Sequence, residues 1–357
     1  CDHGTCHYQL PARPLGRYPK TVAFMVVVNP NTATSKGALR RLRSGRTQKT
    51  NTYRLMHGAS DGVSGLYTDR LADYLLVQSE HPLTEAQQKA IQSWRKDLKI
   101  NGVYHKNLNR QVQKTTKTNA SARLIMGLEA PKFFEAVEHH LRYRLSFSEG
   151  YSTGLFLDMR DNRQRLLTNL IEPGFPVFDR GLGAPKVLNT FAYTCSLSVC
   201  AARSGAITTS LDLSQKYLEW GRENFRLNQL NPSDHDFIYG DTFDWIKRLA
   251  KRGETYDLVI LDPPTFSRSK VSGLFQAKRD YGRLAKAATT LVRKNGMLLA
   301  CCNAATLSSS NFKTDVRRGI RDSGRKIVQS FQATQPIDFP VNPDEPAYLK
   351  AFWMKLN

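Results

Sequence analysis

Three aspartates fall at the ends of successive strand-like runs: Asp212 after residues 208–211, Asp241 just after residues 237–239, and Asp262 after residues 258–261. A carboxylate at the end of a buried strand can accept hydrogen bonds from sugar hydroxyls or from an amine, and in open α/β sheets ligands bind at that end. Each aspartate alone is weak evidence, since Asp is common in turns. Their order on successive runs is the stronger signal. Asp262 is followed by Pro263, Pro264, Thr265, Phe266 and Ser267. Prolines donate no backbone hydrogen bond. The corner therefore leaves carbonyls unpaired beside an aromatic ring, a set of groups that can grip a flat polar heterocycle such as a nucleobase. Two further candidates, Cys301 and Cys302, end another apolar run. As thiolates they could attack such a ring; as buried strand residues they would pack as small hydrophobes.

The elements that must position these groups alternate in type. Residues 186–190, 208–213, 237–239, 256–261 and 297–301 read as strands, and residues 196–204, 214–228, 242–252 and 281–292 as the helices between or beside them, with Ser214 as an N-cap. This alternation predicts an α/β fold, a doubly wound, mostly parallel sheet. Residues 348–355 are expected to add a last edge strand. Upstream, residues 53–148 read as a small α+β domain, with a strand over 74–78, a helix over 85–98 capped by Thr84, and a polar, basic loop over 107–121. Residues 1–50 are irregular and basic, with one candidate strand over 21–28 and a cationic cluster over 40–49.

The first strand-to-helix turn, from Asn189 through Phe191, Ala192, Tyr193, Thr194 and Cys195 to Ser196, lacks a glycine-rich dinucleotide fingerprint. A pyrophosphate needs close backbone approach at a helix N-terminus. NAD and ATP are thereby disfavoured, and S-adenosylmethionine, which carries no phosphate, is the expected cofactor. Asp212 would take its ribose, and Asp241 its adenine side.

With these motifs in order, the chain resembles the class I S-adenosylmethionine-dependent methyltransferases of large-subunit ribosomal RNA, the K/L and I types, over about residues 53–357. The resemblance rests on residues 187–194, on Asp212-Leu213-Ser214, on Tyr217-Leu218-Glu219-Trp220, on residues 262–267, on residues 153–160 upstream and, for the central domain, on residues 54–70. It is nearest to the guanine-methylating half of the K/L type, through residues 217–220 and 265–267. It implies a Rossmann-like domain over 149–357 with a mostly parallel seven-stranded sheet, a central α+β RNA-binding domain over 51–148, and a remnant of a PUA-like module in residues 1–50. It also implies that Phe191, Tyr193 and Thr194 line the methionine end of the cofactor, that Asp212 and Ser214 serve the ribose and Asp241 the adenine, that Asp158 and Arg160 close over the amino-acid moiety, and that Asp262, Pro263 and Pro264 form the methyl-transfer corner. Cys195 departs from the family, which has glycine there. Its side chain either crowds the cofactor or is accommodated by small neighbours.

Methylating carbon 5 of cytosine requires an enzyme cysteine, which in the I type lies just past the fifth strand. The best register places Asn303 at that position; a one-residue slip would place Cys302 there. Guanine N7 carries its own lone pair and needs only to be held in line. Asn303 would then hydrogen-bond the base edge and Phe266 stack on its face. Arg268, Lys270, Lys278 and Arg279 flank the corner as phosphate contacts or as a solvated loop.

Composition agrees with an RNA partner. Lys and Arg number 52 against 31 acids, a net charge of +21 in 357 residues. No apolar run approaches membrane-spanning length. The 6 cysteines form no disulfide framework, and the first residues show no secretory-signal pattern, which points to a reducing interior, the cytoplasm or an organelle's stroma or matrix. Cys1, His3, Cys6 and His7 fit no familiar zinc spacing, and no metal is expected. Two rivals remain at this stage: a methyltransferase for a small molecule or protein, and a non-catalytic RNA-binding or ribosome-assembly factor whose degenerate site is marked by Cys195.

Overall fold

The computed structural model describes residues 50–108, 121–149, 152–179 and 183–357. The candidate strand over 21–28, the cationic cluster over 40–49, the Cys1–His7 group and most of the 107–121 loop lie outside the described residues.

The central domain is built on strands β1 (Thr52–His57), β2 (Leu66–Leu71), β3 (Tyr74–Ser79), β4 (Gly102–Asn107) and β5 (Arg123–Gly127), in that spatial order. Helix α1 (Glu85–Asp97) follows β3 and carries the chain across to β4, which makes β3 and β4 parallel while the other neighbours are antiparallel. Thr84 starts α1 with a capping box completed by Gln87. The α1 face bearing Ala90, Ile91 and Trp94 covers Leu55, Leu75, Val77 and Val103. A hairpin, β6 (Phe134–Glu138) and β7 (Leu141–Leu145), leads out of this domain.

Beyond it run α2 (Arg160–Thr168), β8 (Lys186–Thr190), α3 (Ser196–Arg203), β9 (Ile207–Asp212), α4 (Gln215–Leu227), β10 (Asp236–Tyr239), α5 (Thr242–Lys251), β11 (Tyr256–Leu261), a ribbon β12 (Phe266–Ser269) and β13 (Gly273–Gln276), α6 (Ala277–Thr289), β14 (Val292–Cys302), α7 (Ser309–Arg321), β15 (Ile327–Ala333) and β16 (Lys350–Leu356). The large sheet has the order β10-β9-β8-β11-β14-β16-β15, with β16 antiparallel to both neighbours. It is the expected Rossmann-like α/β architecture. The strand order reverses beside β8, which places the ligand crevice at the carboxyl ends of β8 and β11. Alternate residues of each strand serve opposite faces. Val187, Leu258, Ile260, Leu299 and Cys301 join one core, while Leu188, Val259, Leu261, Leu298 and Cys302 join the other.

Two expectations need correction. The terminal strand is not at the edge: β16 lies between β14 and β15, because Ala351, Phe352, Trp353 and Met354 are all buried and require cover on both faces. The half-exposed β15, with Val328 and Gln329 in solvent, takes the edge instead. The helix read over 281–292 is α6, ending at Thr289. Val292 opens β14, whose polar first residues, Arg293, Lys294 and Asn295, hid the strand's start.

Candidate active site

The turn after β8 adopts a glycine-like backbone without glycine. Phe191, Tyr193 and Cys195 all have left-handed φ values, of 56°, 49° and 62°. Each such residue costs roughly 1–2 kcal/mol, so the conformation must be held from outside. Asp212, at the end of β9, does so: its carboxylate accepts from the backbone N–H of Tyr193 at 2.8 Å and of Ser214 at 2.8 Å. Burial raises its pKa, and the backbone N–H groups oppose that rise. Asp212 remains half-buried, and a carboxylate has lone-pair capacity beyond two N–H partners for ribose hydroxyls. Ser214 caps α4 through the Tyr217 N–H at 3.3 Å. Thr194 is buried, and its hydroxyl donates to the Gly154 carbonyl at 2.6 Å; it acts here as a strut between turn and upstream segment. Gly154 sits at φ 111° with a Trp220 ring carbon 2.6 Å from where a Cβ would lie, so no side chain fits.

Cys195 does not plug the crevice. Its side chain is fully buried and points into α4, where a Cβ on Gly221 would meet Cys195 Sγ at 2.3 Å and Cβ at 2.9 Å. The Cys195 side chain in the turn is thus matched by a glycine in the facing helix. Burial pushes the Cys195 thiol up to about 12, so it stays a neutral packing group. Of the two outcomes expected for Cys195, accommodation by a small neighbour is the one observed.

The upstream segment 152–160 is locked by buried charges. Arg163 pairs with Glu138 of β6 at 2.6 and 2.8 Å and donates to the Phe156 carbonyl at 2.8 Å. Arg160 forms a bidentate pair with buried Asp338, which also accepts from the Arg54 N–H at 3.0 Å. Its guanidinium is therefore engaged by protein, and the expected role over an amino-acid moiety is not what its hydrogen bonds display. Asp158 accepts from the Tyr348 hydroxyl at 2.9 Å. Burial raises the Asp158 carboxyl, against Tyr348, Arg54 and Arg163, which lower it.

On the other side, Asp241 caps α5 through the Asp244 N–H at 3.0 Å and accepts from the Ser272 hydroxyl at 2.6 Å. Burial works to raise its carboxyl, but Ser272, Ser269 and backbone donors outweigh it and hold the group below the usual range. The β12–β13 ribbon is pinned by this contact and by Phe275, whose ring lies 6.3 Å from Phe191 and 6.1 Å from Phe243. Phe266, at the ribbon's root, is 59% exposed. Pro263 is buried and Pro264 exposed. Asp262 is pushed up to about 7 by burial and then by Asp158, with Arg163 opposing. Asn303 is exposed just past β14, and its Oδ1 accepts from the Thr265 hydroxyl at 3.2 Å. The turn after it is braced by buried Lys350, which donates to the Ala304 carbonyl at 2.9 Å and the Tyr348 carbonyl at 2.6 Å.

Cys301 and Cys302 are fully buried, one on each face of the sheet. Burial raises both thiols, Cys301 well above its ordinary value. Tyr281 is likewise core, its hydroxyl donating to the Leu261 carbonyl at 3.1 Å and the Cys301 carbonyl at 2.7 Å.

Asp158 and Asn303 open onto a cleft of about 660 Å³ between the two domains. Arg54, Tyr67, Asp69 and Gln78 form the central-domain wall, and Phe156 and Tyr348 lie on the other. Arg54 is held by Asp69 at 2.7 Å and stacks over Phe339 at 4.4 Å. Phe266 is not among the residues lining this cleft. Arg54, Tyr67, Gln78, Phe156 and Tyr348 were given no site role from the sequence, because they come from segments far apart whose juxtaposition no local pattern displays.

Among known proteins, the model of the S-adenosylmethionine-dependent methyltransferase family matches residues 53–355. Ribosomal RNA large subunit methyltransferase I of Shigella boydii serotype 18 is 30% identical over 305 residues, covering 85% of this chain and 74% of that protein. A solved structure described as a methyltransferase complexed with SAH is 28% identical with a TM-score of 0.76, and an S-adenosylmethionine-dependent methyltransferase structure from Streptococcus mutans is 26% identical with a TM-score of 0.75. Each alignment covers 90% of this chain and 80% of the other.

Proposed function

The chain belongs to the S-adenosylmethionine-dependent methyltransferase family, and from that premise we propose that it methylates a base of large-subunit ribosomal RNA, guanine in preference to cytosine. The cofactor supplies an electrophilic methyl group on its sulfonium. The residues present fit it: the turn over 191–195 is held open by Asp212, and Cys195 is turned away into Gly221.

The observation that supports the base preference is that, among the described residues, no usable thiol lies at the cleft. Cys195, Cys200, Cys301 and Cys302 are all buried among the described residues, and Asn303 occupies the exposed position past β14. A neutral thiol in the core cannot form the covalent adduct that 5-methylcytosine chemistry requires. Guanine N7 needs no such adduct, and an exocyclic amine would meet the carbonyls of the Asp262-Pro263-Pro264 corner.

RNA as substrate is supported by the relative's name and by the net charge of +21. The small-molecule alternative lacks a reason for that charge. The non-catalytic alternative loses its best feature with the burial of Cys195. On this reading residues 51–148 meet the RNA, residues 149–357 perform the transfer, and the work is done in the cytoplasm. No helix among the described residues is long and apolar enough to cross a membrane.

Mass spectrometry of ribosomal RNA from cells lacking the protein tests the proposal. The expected result is loss of one methylated guanine, restored by purified protein and S-adenosylmethionine. Loss of a 5-methylcytosine instead, or an unchanged modification profile, overturns it.

A further inference from the structure

Resting on that reading, we propose that the target base stacks on Phe156 rather than on Phe266, and that Gln78 and the Arg54-held Asp69 of the central domain face its edge. Phe156 is 44% exposed between Leu155 and Leu157, which are 5% and 6% exposed. An aromatic ring left open in an otherwise buried segment is not there for packing alone. Its main chain is fixed through the Arg163 contact to its carbonyl, and Arg163 is itself fixed by Glu138. Its ring centroid lies 5.3 Å from that of Tyr193 on the turn after β8. Phe156 thus stands where the cofactor turn meets the interdomain cleft, whose lining it shares with Asp158 and Asn303. A cleft of about 660 Å³ is large enough for an extruded nucleoside.

The facing wall is chemically suited to a base edge. Asp69 accepts from Arg54 at 2.7 and 3.1 Å, which fixes the carboxylate's direction. Gln78 Nε2 reaches Asp69 Oδ2 at 3.4 Å, a long contact that a base donor or acceptor can displace at little cost. A carboxamide and a carboxylate side by side offer acceptors to a donor edge such as guanine N1–H and N2–H, plus one donor for a carbonyl oxygen. The central domain then contributes to base selection and not only to backbone contacts.

Kinetics with unmodified ribosomal RNA and calorimetry with S-adenosylmethionine on the same variants separate base stacking from cofactor contact. Phe156→Ala and Phe156→Leu are expected to lower kcat/KM for RNA about 10- to 100-fold, the effect of one lost base–aromatic stack. Cofactor affinity should stay within about twofold, and Phe156→Tyr should keep most activity. Gln78→Ala should lower the same ratio with cofactor affinity unmoved. Normal kinetics in Phe156→Leu, or cofactor affinity falling in step with activity, overturns this inference alone. A wild-type protein inert on every RNA overturns the parent reading with it.

Discussion

Gly221→Ala probes how the chain accommodates Cys195, where the resemblance implies a glycine. The new methyl would lie 2.3 Å from Cys195 Sγ and 2.9 Å from its Cβ, so turn or helix must move. Overpacking of this kind costs roughly 1–3 kcal/mol. Ala gains about 1 kcal/mol over Gly in a helix interior, so the net effect in the natural background is between roughly zero and 2 kcal/mol of destabilisation. In a Cys195→Gly background the clash is gone, and the introduced glycine accepts the φ of 62° without strain. There, Gly221→Ala should stabilise by about 1 kcal/mol. The two backgrounds therefore differ by roughly 1–3 kcal/mol, a coupling well above the scatter expected for independent sites. Urea unfolding of the four proteins measures it, and calorimetry with S-adenosylmethionine shows whether the turn still binds. An equal effect of Gly221→Ala in both backgrounds refutes the claim that the Cys195 side chain fills the notch at Gly221.

Asp212→Ala removes the anchor of the Tyr193 N–H and, on the proposed reading, the acceptor for ribose; calorimetry should show no S-adenosylmethionine binding, and unchanged affinity rejects the ribose assignment. Cys302→Ala should retain methyl transfer, because the thiol is buried and neutral; loss of activity in a folded variant restores the cytosine route. Asp262 binds its proton more tightly in the folded state, about 7 against 3.8, so its contribution to stability is full at low pH and is lost as pH rises through about 7. Asp262→Asn should flatten that decline in denaturant titrations between these limits, and an unaltered pH profile shows that the carboxyl is not held in the environment described.

The centre of the large sheet was legible because its strands carry short buried apolar stretches ending in turn residues. β8 and β11 fall where periodicity places them, residues 186–190 and 256–261. The edge and the start of β14 were not, since Arg293, Lys294 and Asn295 carry no strand signal and fall in the irregularity between the Val292–Tyr256 and Met297–Leu258 pairs. The ribbon β12–β13 was hidden by its basic, serine-rich composition and is identified by Phe275 underneath and Ser272 on Asp241. In the site, the strand-end aspartates fell at the sheet's rim as their spacing implied. The resemblance implied a ligand contact for Arg160, while its partner Asp338, which lies 178 residues away, is not visible from the local motif. The two outcomes open for Cys195 could not be separated for the same reason: Gly221 is invisible as its complement until α4 packs on the turn.

Asp338 ties together parts of the chain that are made at very different times. It grips the Arg54 amide across 284 residues and the Arg160 guanidinium across 178. Contacts so distant in sequence carry a large closure entropy and form late. One face of each sheet has an apolar interior of its own, but a third core is shared between the two sheets, so the crevice is complete only once they are joined. A half-made molecule, still without that clasp, has no finished mouth with which to seize a nucleotide.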